Sequence, residues 1–285
     1  MRNMTVVVTG AAGSVGTQVI PYLKKQFSRL VLSDIKPPGV NAKDHVYKVV
    51  DLRDFEETRK LMKGVDAVIH LGGYPREAEW DTIRDANFEA TYNVFEAARI
   101  EGVARLIFAS SNHATGFRRA DEIISEQHPP RPDSLYGVSK VFGEALTTLY
   151  SDKYGMKTMA IRIGHISSKP RDLRRLSIWM HPEDLAQMIV IGLHSPSIMG
   201  QILFGTSESD ASYYSNQYAK ELGYKPKHKA YEYRQEIENQ LMDPIDKYAP
   251  STLFQGGFAA ALGFTAELET TLEATSISEN PLRDT

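Results

Sequence analysis

The chain has 285 residues, a formal net charge of −3, 42% hydrophobic and 24% charged residues, and no cysteine. That length suits one large α/β domain with at most a small C-terminal lobe, and a core of that size needs no disulfide or metal staple. The charge argues against binding polyanions, the missing cysteines exclude disulfides and thiolate catalysis, and no apolar stretch nears the roughly 20 residues that span a bilayer.

Met1 to Gly10 reads as a strand-like run and not as a signal peptide. Val6 to Thr9 has the pattern of a buried strand, and Ser14 to Gln26 that of a helix. Further strands are expected at Leu30 to Ser33, Val46 to Val50, Ala67 to His70, Arg105 to Ala109 and Thr158 to Ile163. Helices are expected at Phe55 to Lys63, Trp80 to Gly102 and Ser134 to Tyr154. Short apolar strands alternating with helices predict a doubly wound, Rossmann-type parallel sheet with helices on both faces. Residues 1–164 therefore read as a dinucleotide-binding core carrying the catalytic helix. After Gly164 the rhythm changes. A helix is expected from Pro182 to His194, a strand from Gln201 to Phe204 and a helix from Ser215 to Leu222. Residues 165–265 read as a small substrate lobe interleaved with the core, and residues 266–285 as a polar tail expected to be disordered.

Val6-Val7-Val8-Thr9 runs into Gly10-Ala11-Ala12-Gly13-Ser14-Val15-Gly16. The glycines follow a strand and open a helix. Gly10 suits a tight turn, Gly13 the approach of a pyrophosphate, and Gly16 close packing of helix on sheet. N–H groups at the helix start, from Ser14 and Val15 onward, then face the phosphates. Asp34 ends the second strand, where a carboxylate accepts from both ribose hydroxyls and repels a 2′-phosphate. That favours NAD over NADP, although Lys36 lies close and a turn aspartate is the plain alternative.

Tyr136 and Lys140 open the mid-chain helix at i and i+4, on one face. Free tyrosine has a pKa of about 10, too high for a base at neutral pH. A nearby ammonium and a positive nicotinamide would favour the phenolate. The spacing alone is common by chance. Together with the glycine loop it points to proton transfer. The eight histidines show no pair at helical ligand spacing, so the sequence supports no metal site.

The glycine loop, Asp34, Asp51-Leu52, His70-Leu71-Gly72-Gly73, Asn87, Ser110-Ser111 and Tyr136-Gly137-Val138-Ser139-Lys140 together resemble the extended short-chain dehydrogenase/reductase family of NAD-dependent epimerases and dehydratases. The likeness runs from residue 4 to about residue 225. It implies NAD as cofactor and Ser111 as donor to the substrate oxygen beside Tyr136 and Lys140. It implies that Asp51 and Leu52 flank the adenine, and that Leu71, Gly72 and Gly73 pass beside the cofactor, with Ala109 and Ile163 also lining it. It implies that Asn87 supports the proton-relay helix.

A narrower likeness is to uronate dehydrogenases, in Phe108-Ala109-Ser110-Ser111-Asn112-His113, Arg131-Pro132-Asp133, Arg162-Ile163-Gly164, Leu176-Ser177-Ile178-Trp179 and Phe254-Gln255-Gly256-Gly257. It implies oxidation of the anomeric carbon of a hexuronate to an aldarolactone. Asn112 and His113 would then bind sugar hydroxyls, Arg174 the carboxylate, and Phe258 would close over the pocket. Pro75 and His165, beside Tyr74, stand where that group has serines. The run from His70 to Asp81 and Tyr213-Tyr214-Ser215 look more like a sibling group that oxidises glucose 6-phosphate. Arginine forks between Lys169 and Arg175 suit carboxylate and phosphate alike. A nucleotide-sugar epimerase or dehydratase and a non-catalytic dinucleotide sensor stay open as other readings. The expected setting is a cytoplasmic homo-oligomer acting on a small anionic sugar, with no nucleic-acid or membrane partner. The outward residues Val141, Phe142, Ala145, Leu146 and Leu149 are read as its subunit contact.

Overall fold

The computed structural model describes residues 2–37, 46–240 and 246–275. In chain order the core elements are β1 (Arg2–Thr9), α1 (Ser14–Leu23), β2 (Phe27–Asp34), β3 (Val46–Val49), α2 (Phe55–Met62) and β4 (Ala67–His70). Then come α3 (Trp80–Ile83), a π-helical turn (Arg84–Glu89), α4 (Ala90–Ile100), β5 (Arg105–Ser111), α5 (Leu135–Tyr154) and β6 (Lys157–Ile163). The second half adds β7 (His165–Ile166), α6 (Leu173–Ile178), β8 (Trp179–Met180), α7 (Pro182–His194) and β9 (Gln201–Gly205).

Seven strands form one sheet in the order β3-β2-β1-β4-β5-β6-β9, every neighbour parallel. The doubly wound expectation is met. Alternation along β1 explains its unbroken apolar run. Val6 and Val8 face α1 and α7 with Val19, Leu23, Leu185 and Ile189. Val7 faces the opposite layer, with Val94, Phe95, Phe108 and Leu146. Both faces of the sheet are covered, so apolar residues dominate its central strands. The winding reverses between β1 and β4, and a crevice opens there beyond the carboxyl ends of the strands.

Local signals set the helix ends. Ser134 caps α5 by accepting from the Gly137 N–H at 3.0 Å, and Gly155 ends it in the left-handed region at φ 70°. Pro182 stands in the first turn of α7, as read from sequence. The single helix expected from Trp80 to Gly102 is interrupted by the π turn, which widens the backbone around Asn87. The helix expected to reach Gln26 ends at Leu23, and its last residues continue only as a turn.

Two boundaries need correcting. β9 pairs with β6 and α7 packs on α1, so much of the stretch after residue 164 belongs to the core layers. The tail expected to be disordered carries a helix at Leu268–Thr275, whose Ala274 carbonyl accepts from Arg131. The last ten residues, 276–285, lie outside the described residues.

Behind the active edge sits a buried clamp. Arg162 on β6 donates from Nε and Nη2 to Glu144 on α5, both at 2.8 Å. Ser110 on β5 donates to the same carboxylate at 2.6 Å. Both charged side chains are almost wholly enclosed. Removing one partner leaves the other charge buried without compensation. Arg162→Leu should therefore lower unfolding free energy by about 3–5 kcal/mol in urea denaturation, and a loss under about 1 kcal/mol would contradict the clamp.

Candidate active site

The glycine loop folds back on itself where β1 meets α1. Gly10 lies at φ +68°, and a Cβ there would stand 2.6 Å from the Gly72 backbone nitrogen. A Cβ on Gly16 would fall 2.5 Å from the Gly10 carbonyl oxygen. Only glycine fits either place. Gly13 has no side chain to cap α1, so the first-turn N–H groups face the crevice without a protein cap. Asp34 does more than end β2. Its two carboxylate oxygens accept from the Ala12 and Lys36 N–H groups at 3.0 and 3.1 Å, which stitches the loop to the strand. These residues fit a dinucleotide: bare N–H donors for a pyrophosphate, and a half-buried carboxylate at the ribose position.

Leu71, Gly72 and Gly73 continue from β4 into the same crevice, where the Leu71 N–H is held by the Thr9 carbonyl at 3.2 Å. Leu52 is buried in the core and comes close to Gly72. Asp51 instead turns to Arg53, which engages both of its oxygens and holds its carboxyl below the usual range. Asn87 is buried on the π turn. Its Oδ1 accepts from the Tyr74 N–H at 2.6 Å, and its Nδ2 donates to the Tyr74 carbonyl and to Ser139 Oγ. It thus ties the loop after β4 to α5. Glu77 makes a second tie, accepting from the Tyr136 N–H at 3.0 Å. His70 is fully buried and pushed down to about 3 by desolvation, so it is a neutral bridge between Thr9 and Thr91.

The reacting groups converge at the ends of β5 and α5. Ser111 lies beside Tyr136, close enough for its side chain to lower the phenol's pKa. Lys140 is buried beneath, donating to the Ala109 carbonyl at 2.9 Å with its ammonium 5.4 Å from the Tyr136 ring centre. Burial pulls Lys140 down to about 8, against the pull of Glu144 one turn on. The expectation that Lys140 sets the Tyr136 pKa needs revising. Desolvation dominates and pushes the phenol up to about 12; the Ser111 side chain lowers it and the Asp133 charge raises it. The protein alone keeps Tyr136 protonated, so positive charge arriving with a cofactor is needed to make it a base.

Across the mouth, His113 meets Tyr136 edge to face at 5.9 Å, and its Nδ1 meets the buried Asp133 carboxylate at 2.7 Å. That bond places the proton on Nδ1 and leaves Nε2 as an acceptor. Asn112 is buried with Nδ2 unpartnered among the described residues, a donor in want of an acceptor. Of the three arginines near residue 174, Arg171 is exposed and Arg175 pairs with Asp172. Arg174 alone is directed inward, its Nε and Nη2 fixed on the Gln255 carbonyl at 2.9 and 2.7 Å. Gly257, at φ +64°, leaves room for that guanidinium. His165 lies half-buried beside the arginines; burial and their charge drive it down to about 4. Tyr74, Pro75 and Phe258 are exposed, Phe258 by 76%, and Gly257 rather than the Phe258 ring abuts Arg174.

Sequence reasoning missed Asp133, Glu144, Arg162, Gln255 and Glu77. Glu144 had a signal, because Tyr136, Lys140 and Glu144 form one i, i+4, i+8 stripe. Gln255 had none, since its role lies in a backbone carbonyl.

A model of the family described as "NAD dependent epimerase/dehydratase family" matches residues 6–181. The chain belongs to that family. Uronate dehydrogenase of Pseudomonas putida is 41% identical over 258 residues, covering 90% of this chain and 96% of that protein. An NAD-dependent glucose-6-phosphate dehydrogenase of Haloferax volcanii is 34% identical, covering 86% of this chain and 99% of that protein. Among solved structures, uronate dehydrogenase from Agrobacterium tumefaciens complexed with NAD superposes with a TM-score of 0.87 at 34% identity, covering 91% of this chain and 97% of that one. In Gly16→Ala the new methyl meets backbone, so NAD affinity measured by calorimetry should fall at least about tenfold. Unchanged affinity would remove the loop from the cofactor site.

Proposed function

We propose that this chain oxidises the anomeric carbon of a hexuronate, glucuronate or galacturonate, to the aldarolactone with NAD. The observation that carries the reading is the Ser111–Tyr136–Lys140 cluster, with the inward-held Arg174 near enough to Asp133, the partner of His113, to feel its charge. The anomeric hydroxyl lies between Ser111 and Tyr136. Tyr136 takes its proton, and the C1–O bond becomes the lactone carbonyl. NAD, when bound, supplies the acceptor for the hydride leaving that carbon. Lys140 supplies a fixed positive charge below the phenol. Asn112 Nδ2 and His113 Nε2 offer a donor and an acceptor to ring hydroxyls. The cofactor lies along Gly10, Gly13, Ser14, Val15, Gly16 and Asp34, past Leu52, Leu71, Gly72 and Gly73, to Ala109 and Ile163.

Two Arg174 nitrogens already serve the Gln255 carbonyl, so it offers one remaining edge, which the sugar carboxylate occupies in this reading. The positive charge of Arg171 and Arg175 around His165 is the observation that favours the second reading, glucose 6-phosphate. The parts of residues 165–265 outside the core layers act as the substrate lobe in either case, and Pro75 and His165 are read as substrate contacts.

The reading extends to a cytoplasmic homo-oligomer. No helix among the described residues is long and apolar enough to cross a membrane. On α5, Leu146 faces the core and Phe142 packs inward, so these two leave the expected subunit contact. Val138 and Leu149 remain exposed at 41% and 45%, with Tyr92 of α4 at 47%. That face is the one offered to a second subunit, and light scattering that returned a 31.9 kDa particle would exclude it.

Tyr136→Phe should fold, bind NAD and lose kcat by about two to four orders of magnitude, the span of general base catalysis. Residual turnover within tenfold of the parent would contradict the role. In the parent, kcat/KM should fall above about pH 8, where Lys140 loses its proton.

A further inference from the structure

The start of α7 carries side chains that the oxidation site does not use. His181 caps the helix, its Nδ1 accepting from the Glu183 N–H at 3.2 Å. The segment 225–229 lays His228 against it, ring centres 3.4 Å apart and 22° from parallel. Glu183 Oε2 meets His228 Nε2 at 3.1 Å, and its other oxygen takes the Lys227 ammonium at 2.7 Å. One ligand atom from each of His181, Glu183 and His228 lies within 4.8 Å of the other two.

We propose that His181, Glu183 and His228 form a binding site for one divalent transition-metal ion of the zinc class. Two imidazoles and a carboxylate are a ligand set that suits zinc, nickel and copper, and it leaves a fourth position for water. Ligands bound at 2.0–2.1 Å around a tetrahedral ion stand about 3.3 Å apart. The His228–Glu183 contact is already near that length, and the ligand atoms of all three residues lie within 4.8 Å of one another.

The backbone beneath the ligands is set in advance. Asp184, fully buried, accepts from the Lys227 and His228 N–H groups at 2.8 and 3.2 Å and from Ser207 Oγ at 2.6 Å. On binding, His228 presents Nε2 to the ion as a neutral imidazole, its ring hydrogen resting on Nδ1. Lys227 opposes the ion, but its side chain is 62% exposed and can swing into solvent. The bound ion would join the 225–229 segment to α7, and through α7 to α1. The sequence could not show this site, because His228 comes from a segment remote from His181-Pro182-Glu183.

Trp179 reports on the site directly. It is one of two tryptophans, is buried, and its ring lies 5.8 Å from His181 and 6.4 Å from His228. Trp80 is 51% exposed, so Trp80→Phe isolates the buried signal. Untagged, metal-free Trp80→Phe protein is titrated with nickel chloride in a non-chelating buffer. The expected result is saturable quenching at one equivalent, reversed by zinc, and weakened at least tenfold by His228→Ala. Glu183→Gln keeps shape and polarity and gives the same comparison where His228→Ala unfolds. Absent or unsaturable quenching, or quenching equal in parent and variants, overturns the site.

Discussion

Lys140 carries its ammonium into the interior, and the hydrogen bond it makes there to the Ala109 carbonyl joins α5 to the end of β5. Much of the active edge is arranged around that bond. A buried ammonium without partners would shed its proton, and burial does draw Lys140 down to about 8. Glu144, a turn further on, resists that loss, and Arg162 holds Glu144 in place. The same clamp holds Ser110, the neighbour of Ser111. One buried ion pair thus supports the base, the serine and the lysine from below. Such pairs contribute little net stability against an apolar substitute, so its worth lies in position and charge.

The phenol is held the other way. Desolvation and the Asp133 carboxylate favour its protonated form. Asp133 also orients His113, so the residue that disfavours the phenolate prepares the substrate side of the mouth. The resting protein is therefore a poor base. In the proposed mechanism, positive charge entering beside Tyr136 would make it one and so couple proton abstraction to cofactor binding.

Much of this was legible in the sequence, and for a physical reason. Glycine loop, strand-end aspartate and Tyr-x-x-x-Lys are local patterns, set by turn sterics and helical spacing. α7 begins at Pro182 as read, because proline fixes a helix start. What stayed hidden is non-local. The Gln255 carbonyl that aims Arg174 lies 81 positions away along the chain. Arg174 was named from the sequence, but its inward direction, beside an exposed Arg171 and an Arg175 paired with Asp172, is a matter of burial. The π turn at Asn87 has no pattern distinct from an ordinary helix. The inward turn of Leu146 was misjudged because both faces of a central helix look apolar.

The account rests on a free anionic sugar being oxidised at its anomeric carbon, and the most direct measurement is absorbance of NADH with purified protein, NAD and one sugar at a time. Glucuronate or galacturonate should yield steady NADH at rates well above glucose 6-phosphate, with lactone as product. Turnover of glucose 6-phosphate alone would transfer the site to the phosphorylated sugar. No NADH from any free sugar would contradict the oxidation itself and leave nucleotide-sugar chemistry in its place.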